Sequence, residues 1–230
     1  LYGGNASGKL VRADGSINNF GGSKAWGGHF DYLYGAWVLR LGVGVFLADE
    51  VPDLAALVSG LRATGEPQAA ALAERFARRE RKTLFLASGA AYDEGPFQVR
   101  LFFGRTESDS TVGLNINTGL IVAGYDTGVL TPYLRGSFVD NRAGIAPTGL
   151  PDTPEYAALN AGAAAVQALT DNNQSSLALG VRYDIRPKLA LKVQVDRVWM
   201  DGTTLVYEGQ RPQRGEDALT LFGLALDFVF

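Results

Sequence analysis

The sequence predicts an all-β fold, a transmembrane antiparallel up-and-down β-barrel, on three observations. Long segments alternate apolar and polar side chains at every second residue, as strands with two different faces do. No run of about 18 apolar residues is present, which excludes a helical membrane span. The chain has 29 Gly, 12 Phe, 9 Tyr and 3 Trp, and this abundance is typical of many strands rather than of a helical domain.

The segment 218–230 shows the alternation. One side carries bulky apolar residues that include Phe222 and Leu226, whereas the other side carries smaller residues and Asp227. This division is expected when one face of a strand meets lipid and the other meets water. The segment exceeds the roughly 9 to 11 residues that a tilted strand needs to cross the hydrocarbon layer.

Eight further segments alternate in the same way. They are predicted strands at 26–34, 37–47, 83–93, 97–105, 112–124, 130–140, 175–185 and 188–200, and a possible tenth strand lies within 2–11. A soluble two-sheet sandwich is the alternative, but its strands are typically about 5 or 6 residues long. The links between the segments alternate between short and long, as in bacterial barrels, whose short turns gather at the periplasmic rim.

Two inserts, 48–82 and 141–174, interrupt the strands and are predicted to be long extracellular loops of a single domain, 1–230. Within the first, residues 52–81 predict two short helices separated by Gly65 and Pro67. Within the second, residues 152–169 predict a third helix, with Thr153 as its cap and Pro154 in its first turn. The sequence leaves open whether these helices narrow a pore, plug it or merely cover its mouth.

Charged residues on the predicted strands fix which face is inward. An arginine that points into lipid at mid-membrane costs roughly 2 to 4 kcal/mol. The predicted lumen-facing residues are Arg40, Arg100, Arg135, Arg182, Lys192, Asp31, Asp184 and Asp196. The basic members outnumber the acidic ones, which predicts a mild anion preference. The alternative for each of these residues is that it is a solvated or salt-bridged residue of the wall without a special role. Arg105 and Arg197 have outward parity at the upper strand ends, where anionic lipid headgroups could pair with them.

Aromatic residues are predicted to form two interfacial girdles. Trp26 and Trp199 lie at the upper strand ends. The lower girdle would contain Trp37, Tyr92, Tyr183 and Phe230.

The composition excludes several other classes of protein. The net charge of −3 gives no basic footprint for nucleic acid, and the absence of cysteine excludes disulfides and thiolate metal sites. No cofactor or metal site is expected. His29 is the one histidine and shares a face with Asp31, so a catalytic pair in an outer-membrane barrel enzyme is an alternative. No nucleophile with recognisable spacing accompanies this pair, and we expect a protein that is not an enzyme.

The sequence resembles the Gram-negative outer-membrane porins. The resemblance rests on FGLALDFVF (222–230), LGVRYDIRPKLALKVQVDRV (179–198), LTPYLRGSF (130–138), SGAAYDEGPFQVR (88–100) and the Leu/Ala/Arg-rich insert before it. It implies a sixteen-stranded, usually trimeric barrel of the bacterial outer membrane, surrounded by lipid and lipopolysaccharide, whose final Phe230 is read by the assembly machinery. It also implies passive diffusion of small polar solutes through a water-filled lumen. Because 230 residues hold only nine or ten strands, we expect either the C-terminal part of a longer porin or a small barrel closing on ten strands.

Overall fold

The computed structural model describes residues 1–6, 9–11, 17–19, 22–49, 54–77, 80–109, 115–142, 144–168, 173–201 and 217–228. Within these ranges the strands are β1 (Tyr2–Ala6), β2 (Lys9–Val11), β3 (Ile17–Asn19), β4 (Ser23–Tyr34), β5 (Trp37–Asp49), β6 (Glu80–Glu94), β7 (Phe97–Ser108), β8 (Ile116–Tyr125), β9 (Leu130–Asn141), β10 (Asn173–Arg186), β11 (Leu189–Asp201) and β12 (Asp217–Phe228). The helices are α1 (Ala55–Ala63), α2 (Pro67–Ala77) and α3 (Ala157–Ala168).

Ten strands form one antiparallel sheet in the order β1-β4-β5-β6-β7-β8-β9-β10-β11-β12. The nine predicted strands are confirmed within the described residues, and residues 112–114 and 229–230 of two of them lie outside that part of the chain. The possible tenth divides, because Tyr2–Ala6 pairs with β4 whereas Lys9–Val11 pairs with β3 in a separate two-stranded sheet. In the part of the chain that the structure describes, no pairing joins β1 to β12. The sixteen-stranded ring therefore stays a prediction.

The sheet has two chemically different faces, because successive side chains of a strand point to opposite sides. The apolar face carries Leu39, Leu41 and Val43 of β5 and the residues paired with them on neighbouring strands. The polar face carries Arg40 and its paired neighbour Asp31. Leu41 is 63% exposed, so the apolar face is not covered by protein there. The predicted separation of these charged and apolar residues onto opposite faces is confirmed, whereas the assignment of the faces to lumen and lipid stays a prediction.

The connections sort to two edges of the sheet. Short turns at 35–36, 95–96, 126–129 and 187–188 lie at one edge, here called the turn rim. Gly35 (φ 56°) and Gly95 (φ 59°) occupy the left-handed region that such tight turns require. The inserts after β5 and β9 lie at the opposite edge, the loop rim, because antiparallel strands alternate in direction.

The three helices pack on one another and, with residues 144–150, form what we call the helical unit. Its core contains Leu61, Leu72 and Phe76, which are almost fully buried, and Ala163 of α3 packs against them. A Cβ added at Gly60 would lie 2.7 Å from Leu159 Cδ2, so a side chain at position 60 would require the end of the Leu159 side chain to move. Each large apolar side chain buried here contributes about 1.5 to 3 kcal/mol.

Two of the three helix predictions are confirmed in position, and the third needs a correction. The helices α1 and α2 are separated at Gly65, which has a φ of 71°, as predicted. The predicted cap at Thr153 is wrong, because α3 begins at Ala157. Residues 152–156 form turns instead, in which Tyr156 N–H donates to the carbonyl of Thr153. No helix of the described ranges is both long and apolar enough to cross a bilayer.

Candidate functional site

All eight predicted site residues lie on the polar face. The first pair, Asp31 of β4 and Arg40 of β5, stands directly opposite across the hairpin. Arg40 donates from Nε to Asp31 Oδ1 and from Nη2 to Asp31 Oδ2, each at 2.6 Å. This bidentate contact matches the planar guanidinium to the planar carboxylate and holds both side chains against the polar face of the sheet.

Arg100 is also paired, although sequence reasoning did not name its partner. Its Nη2 lies 3.5 Å from Asp93 Oδ2, across the next hairpin of the sheet. Both side chains are more than half exposed, which makes this the loosest pair of the wall. Ion pairs of this kind contribute about 0 to 1 kcal/mol to stability.

A second charged group lies on β10, β11 and β12. Arg182 donates to Asp184 Oδ1 at 2.7 Å, within the same strand and on the same face. Lys192 Nζ lies 2.6 Å from Asp227 Oδ2 of the neighbouring strand. The structure therefore joins the predicted Arg182 and Asp184 directly, and it adds Asp227 to the set.

Arg135 reaches across a whole strand. Its guanidinium pairs with Asp196, on β11, by passing over Ala178 of β10, which is 1% exposed. Tyr133, two residues closer to the turn rim, passes over Gly180 in the same way. Its hydroxyl donates to Gln194 Oε1 at 2.8 Å. These small residues on β10 allow the long side chains to lie flat along the sheet.

The packing of Tyr133 on Gly180 leaves no room for a side chain. A Cβ at Gly180 would meet ring atoms and the hydroxyl of Tyr133. The polar side chains between β9 and β11 are therefore closely packed against the sheet and held in one conformation.

Each of the five predicted basic residues thus has an acidic partner. The partners are Asp31, Asp93, Asp196, Asp184 and Asp227. The sequence analysis did not assign Asp93 and Asp227 to the site, although both have the same face parity as their basic partners. With these two included, the charges of this set balance, so the excess of basic residues that predicted a mild anion preference is not found here.

His29 shares the polar face with Asp31, as predicted, but the carboxylate is directed elsewhere. Both oxygens of Asp31 accept hydrogen bonds from Arg40. In the described ranges, no group of three or more His, Asp or Glu residues could hold a metal ion. The geometry around His29 therefore lacks the oriented carboxylate that a histidine base would use.

The apolar face carries aromatic rings near both rims. At the turn rim, the rings of Trp37 and Tyr92 are 5.0 Å apart, and Tyr183 lies on the same face. At the loop rim, Trp26 and Trp199 are about half exposed. The predicted position of the rings is confirmed, except for Phe230, which lies outside the described residues.

The predicted outward parity of Arg105 is confirmed as well. Arg105 pairs with Glu107 on the apolar face near the loop rim, and Arg142 Nη1 lies 3.9 Å from the same carboxylate. Arg197, on the same face, donates to Thr220 Oγ1 at 2.8 Å. These side chains lie at strand ends, where the cost of facing lipid falls to about 0 to 1 kcal/mol.

Comparison with solved structures identifies the fold. The chain is similar to an anion-selective porin from Comamonas acidovorans, with a TM-score of 0.54 and 14% identity over 93% of this chain and 59% of that one. It is also similar to the outer-membrane expressed OmpT of Vibrio cholerae, with a TM-score of 0.52 and 10% identity over 92% of this chain and 60% of that one. The chain thus spans about 60% of each structure. No protein-family model and no curated protein matches it. The fold is that of the outer-membrane β-barrels.

Proposed function

We propose that this chain forms part of the wall of an outer-membrane porin, through which small polar solutes diffuse passively. The observation that carries the proposal is the sorting of charged side chains onto one face of most strands; β8, whose Leu120 and Val122 share that face, is an exception. Large apolar residues such as Leu41 and Phe222 are exposed on one face, whereas the ion pairs lie on the other. Such a sheet is stable only between two different solvents, and a lipid exterior with an aqueous interior supplies both.

The ion-paired wall suits diffusion rather than tight binding. A solute that passes such a wall meets neutral pairs instead of isolated charges, so it is neither held strongly nor repelled. We therefore propose a weakly selective pore. The anion selectivity in the name of the Comamonas acidovorans protein is compatible with a small preference, set by wall residues beyond the five pairs.

The proposed location is the bacterial outer membrane. The apolar face, with its two rows of aromatic rings, would contact lipid, and the charged ends near the loop rim would contact lipopolysaccharide. A homotrimer, and recognition of Phe230 by the outer-membrane assembly machinery, belong to the same proposal. The turn rim would then face the periplasm, and the loop rim, with its helices, would face outward.

A planar-bilayer recording tests the proposal. The native protein, folded in detergent and added to a bilayer, is expected to insert in discrete steps, each with an ohmic current. A heat-unfolded sample of the same preparation is the control and should give no steps. The absence of current from well-folded protein would refute passive diffusion.

A further inference from the structure

An apolar patch interrupts the polar face of the sheet. It consists of Phe102 on β7 and of Leu120 and Val122 on β8, and we call these three residues the apolar patch. Phe102 is directly paired with Leu120, and Arg100 with Val122, so the patch lies on the same face as the charged pairs and begins beside Arg100. Phe102 is 44% exposed, so the described part of the chain leaves its ring accessible.

The surroundings of the patch are polar. Thr118 precedes it on β8, Ser137 is paired with Leu120 on β9, and Arg100 is paired with Val122 on β7. An exposed apolar surface with a polar rim is typical of a place where a protein contacts another molecule. The patch is therefore a candidate contact surface on the polar face.

Two glycines leave space around the ring of Phe102. Gly89 is its directly paired neighbour on β6, and a Cβ added there would meet only the carbonyl oxygen of Leu101 within 4 Å. On β7, the ring atoms Cε1 and Cζ lie 3.1 Å from the position that a Cβ of Gly104 would occupy, so the ring lies over this glycine. A solute can thus approach the ring, and aromatic rings attract other rings beyond the gain from burial alone.

The ion pair beside the patch is loosely held. Arg100 Nη2 lies 3.5 Å from Asp93 Oδ2, and both side chains are more than half exposed. In contrast, Arg40 holds Asp31 through two hydrogen bonds of 2.6 Å. Because the single long contact of Arg100 is the weaker one, a solute can displace Asp93 from Arg100 more easily than it can displace Asp31 from Arg40.

The charges of this loose pair match those of a zwitterion. A solute with one charge is attracted by one member of the pair and repelled by the other. A solute with both a carboxylate and an ammonium group gains from both members, because the carboxylate accepts from Arg100 and the ammonium donates to Asp93. Since Val122 stands directly opposite Arg100, the rest of such a solute would lie against the apolar patch.

We propose that Arg100, Asp93 and the apolar patch form a weak binding site for zwitterionic solutes with a large apolar side chain, such as the aromatic amino acids. This inference rests on the proposed porin function and deepens it, because it names the class of solute that the wall retains during passage. In the bound state the ion pair opens around the charged groups of the solute, and the apolar side chain packs on Phe102 and Leu120.

A matched pair of phenylalanines tests the apolar half of the site. Phe102 and Phe103 are adjacent and similarly exposed, at 44% and 46%, but they lie on opposite faces. L-Phenylalanine should reduce the current of wild-type channels in a planar bilayer with a saturating dependence on its concentration, whereas L-alanine should reduce it much less. The half-blocking concentration should rise about two- to tenfold in Phe102→Ala and stay unchanged in Phe103→Ala. Equal block by the two amino acids, or equal values for the two variants, would overturn the inference.

The double variant Arg100→Gln/Asp93→Asn tests the charged half. It removes both charges but leaves the net charge of the wall unaltered, so a loss of binding reports the pair itself. The half-blocking concentration of L-phenylalanine should rise about two- to fivefold. Phenylacetate and phenethylamine carry only one of the two charges and should block the wild type less than L-phenylalanine. If phenylacetate blocks equally well, the assignment to zwitterions is wrong.

Binding can also be measured without a pore. Saturation-transfer NMR on protein folded in detergent should detect the ring protons of L-phenylalanine with the wild type and Phe103→Ala, and much less with Phe102→Ala. Heat-modifiable migration on gels shows whether each variant has folded. Current without such binding would overturn this inference and leave the porin function intact. Binding by a folded protein that conducts nothing would refute the porin function and leave the site.

Discussion

The Arg100–Asp93 pair offers a test of the proposed path of ions along the polar face. Because the two charges cancel, Arg100→Gln leaves one uncompensated carboxylate on the polar face. An ion that passes at about 10 Å then gains or loses about 0.4 kcal/mol in unscreened water. Screening at 0.1 M salt, where the Debye length is about 10 Å, reduces this energy to about 0.15 kcal/mol.

These energies set the expected change in selectivity. Cations gain and anions lose the same amount, so the cation-to-anion permeability ratio should rise by about two- to fourfold in Arg100→Gln. Asp93→Asn should lower the ratio by a similar factor, and the double variant should return it to the wild-type value. The assay is the reversal potential under a KCl gradient across a planar bilayer.

Two observations would refute this reasoning. At 1 M salt the Debye length is about 3 Å, so the shift should nearly vanish, and a shift that persists would not be electrostatic. Arg197→Gln makes the same change on the apolar face and should leave the ratio unaltered. A shift of equal size in that variant would mean that the polar face is not the path of the ions.

Two further predictions concern stability. Leu41→Arg places a charge on the apolar face and should lower the free energy of unfolding in lipid by about 2 to 4 kcal/mol. The control Leu221→Arg, on the polar face, should lower it much less. Urea titration in vesicles measures both. Gly180→Val would clash with Tyr133 and should lower the unfolding free energy by about 1 to 3 kcal/mol. Gly223→Val is its control, because no atom lies within 3.8 Å of an added Cβ there, and equal losses would contradict the packing argument.

The two faces were predictable because each is encoded locally. The parity of Leu39, Arg40 and Leu41 along one strand determines which side each meets, whatever the neighbouring strand is. The same parity placed Asp227 on the water-facing side of the last segment. Its contact with Lys192 depends on the register between β11 and β12, which a long connection does not specify.

Contacts that depend on distant packing were not predictable. Tyr133 reaches Gln194 only because Gly180 stands between them, and these three residues come from three different strands. Likewise, the apolar residues Val58 and Leu61 of α1 give no sign that their partner is α3, about a hundred residues later in the chain. The alternation of links predicted which edge holds the loops, but not that the two loops pack together.

The placement of the ion pairs has a consequence for how such a chain enters a membrane. Asp31 with Arg40, Asp93 with Arg100, and Arg182 with Asp184 each close within a single hairpin or strand. In these three cases the counterion comes with the same hairpin or strand, so during insertion the two charges would enter the membrane as a neutral pair. Arg135 and Lys192 are different. The partner of Arg135, Asp196, arrives only with β11, and the partner of Lys192, Asp227, arrives only with β12.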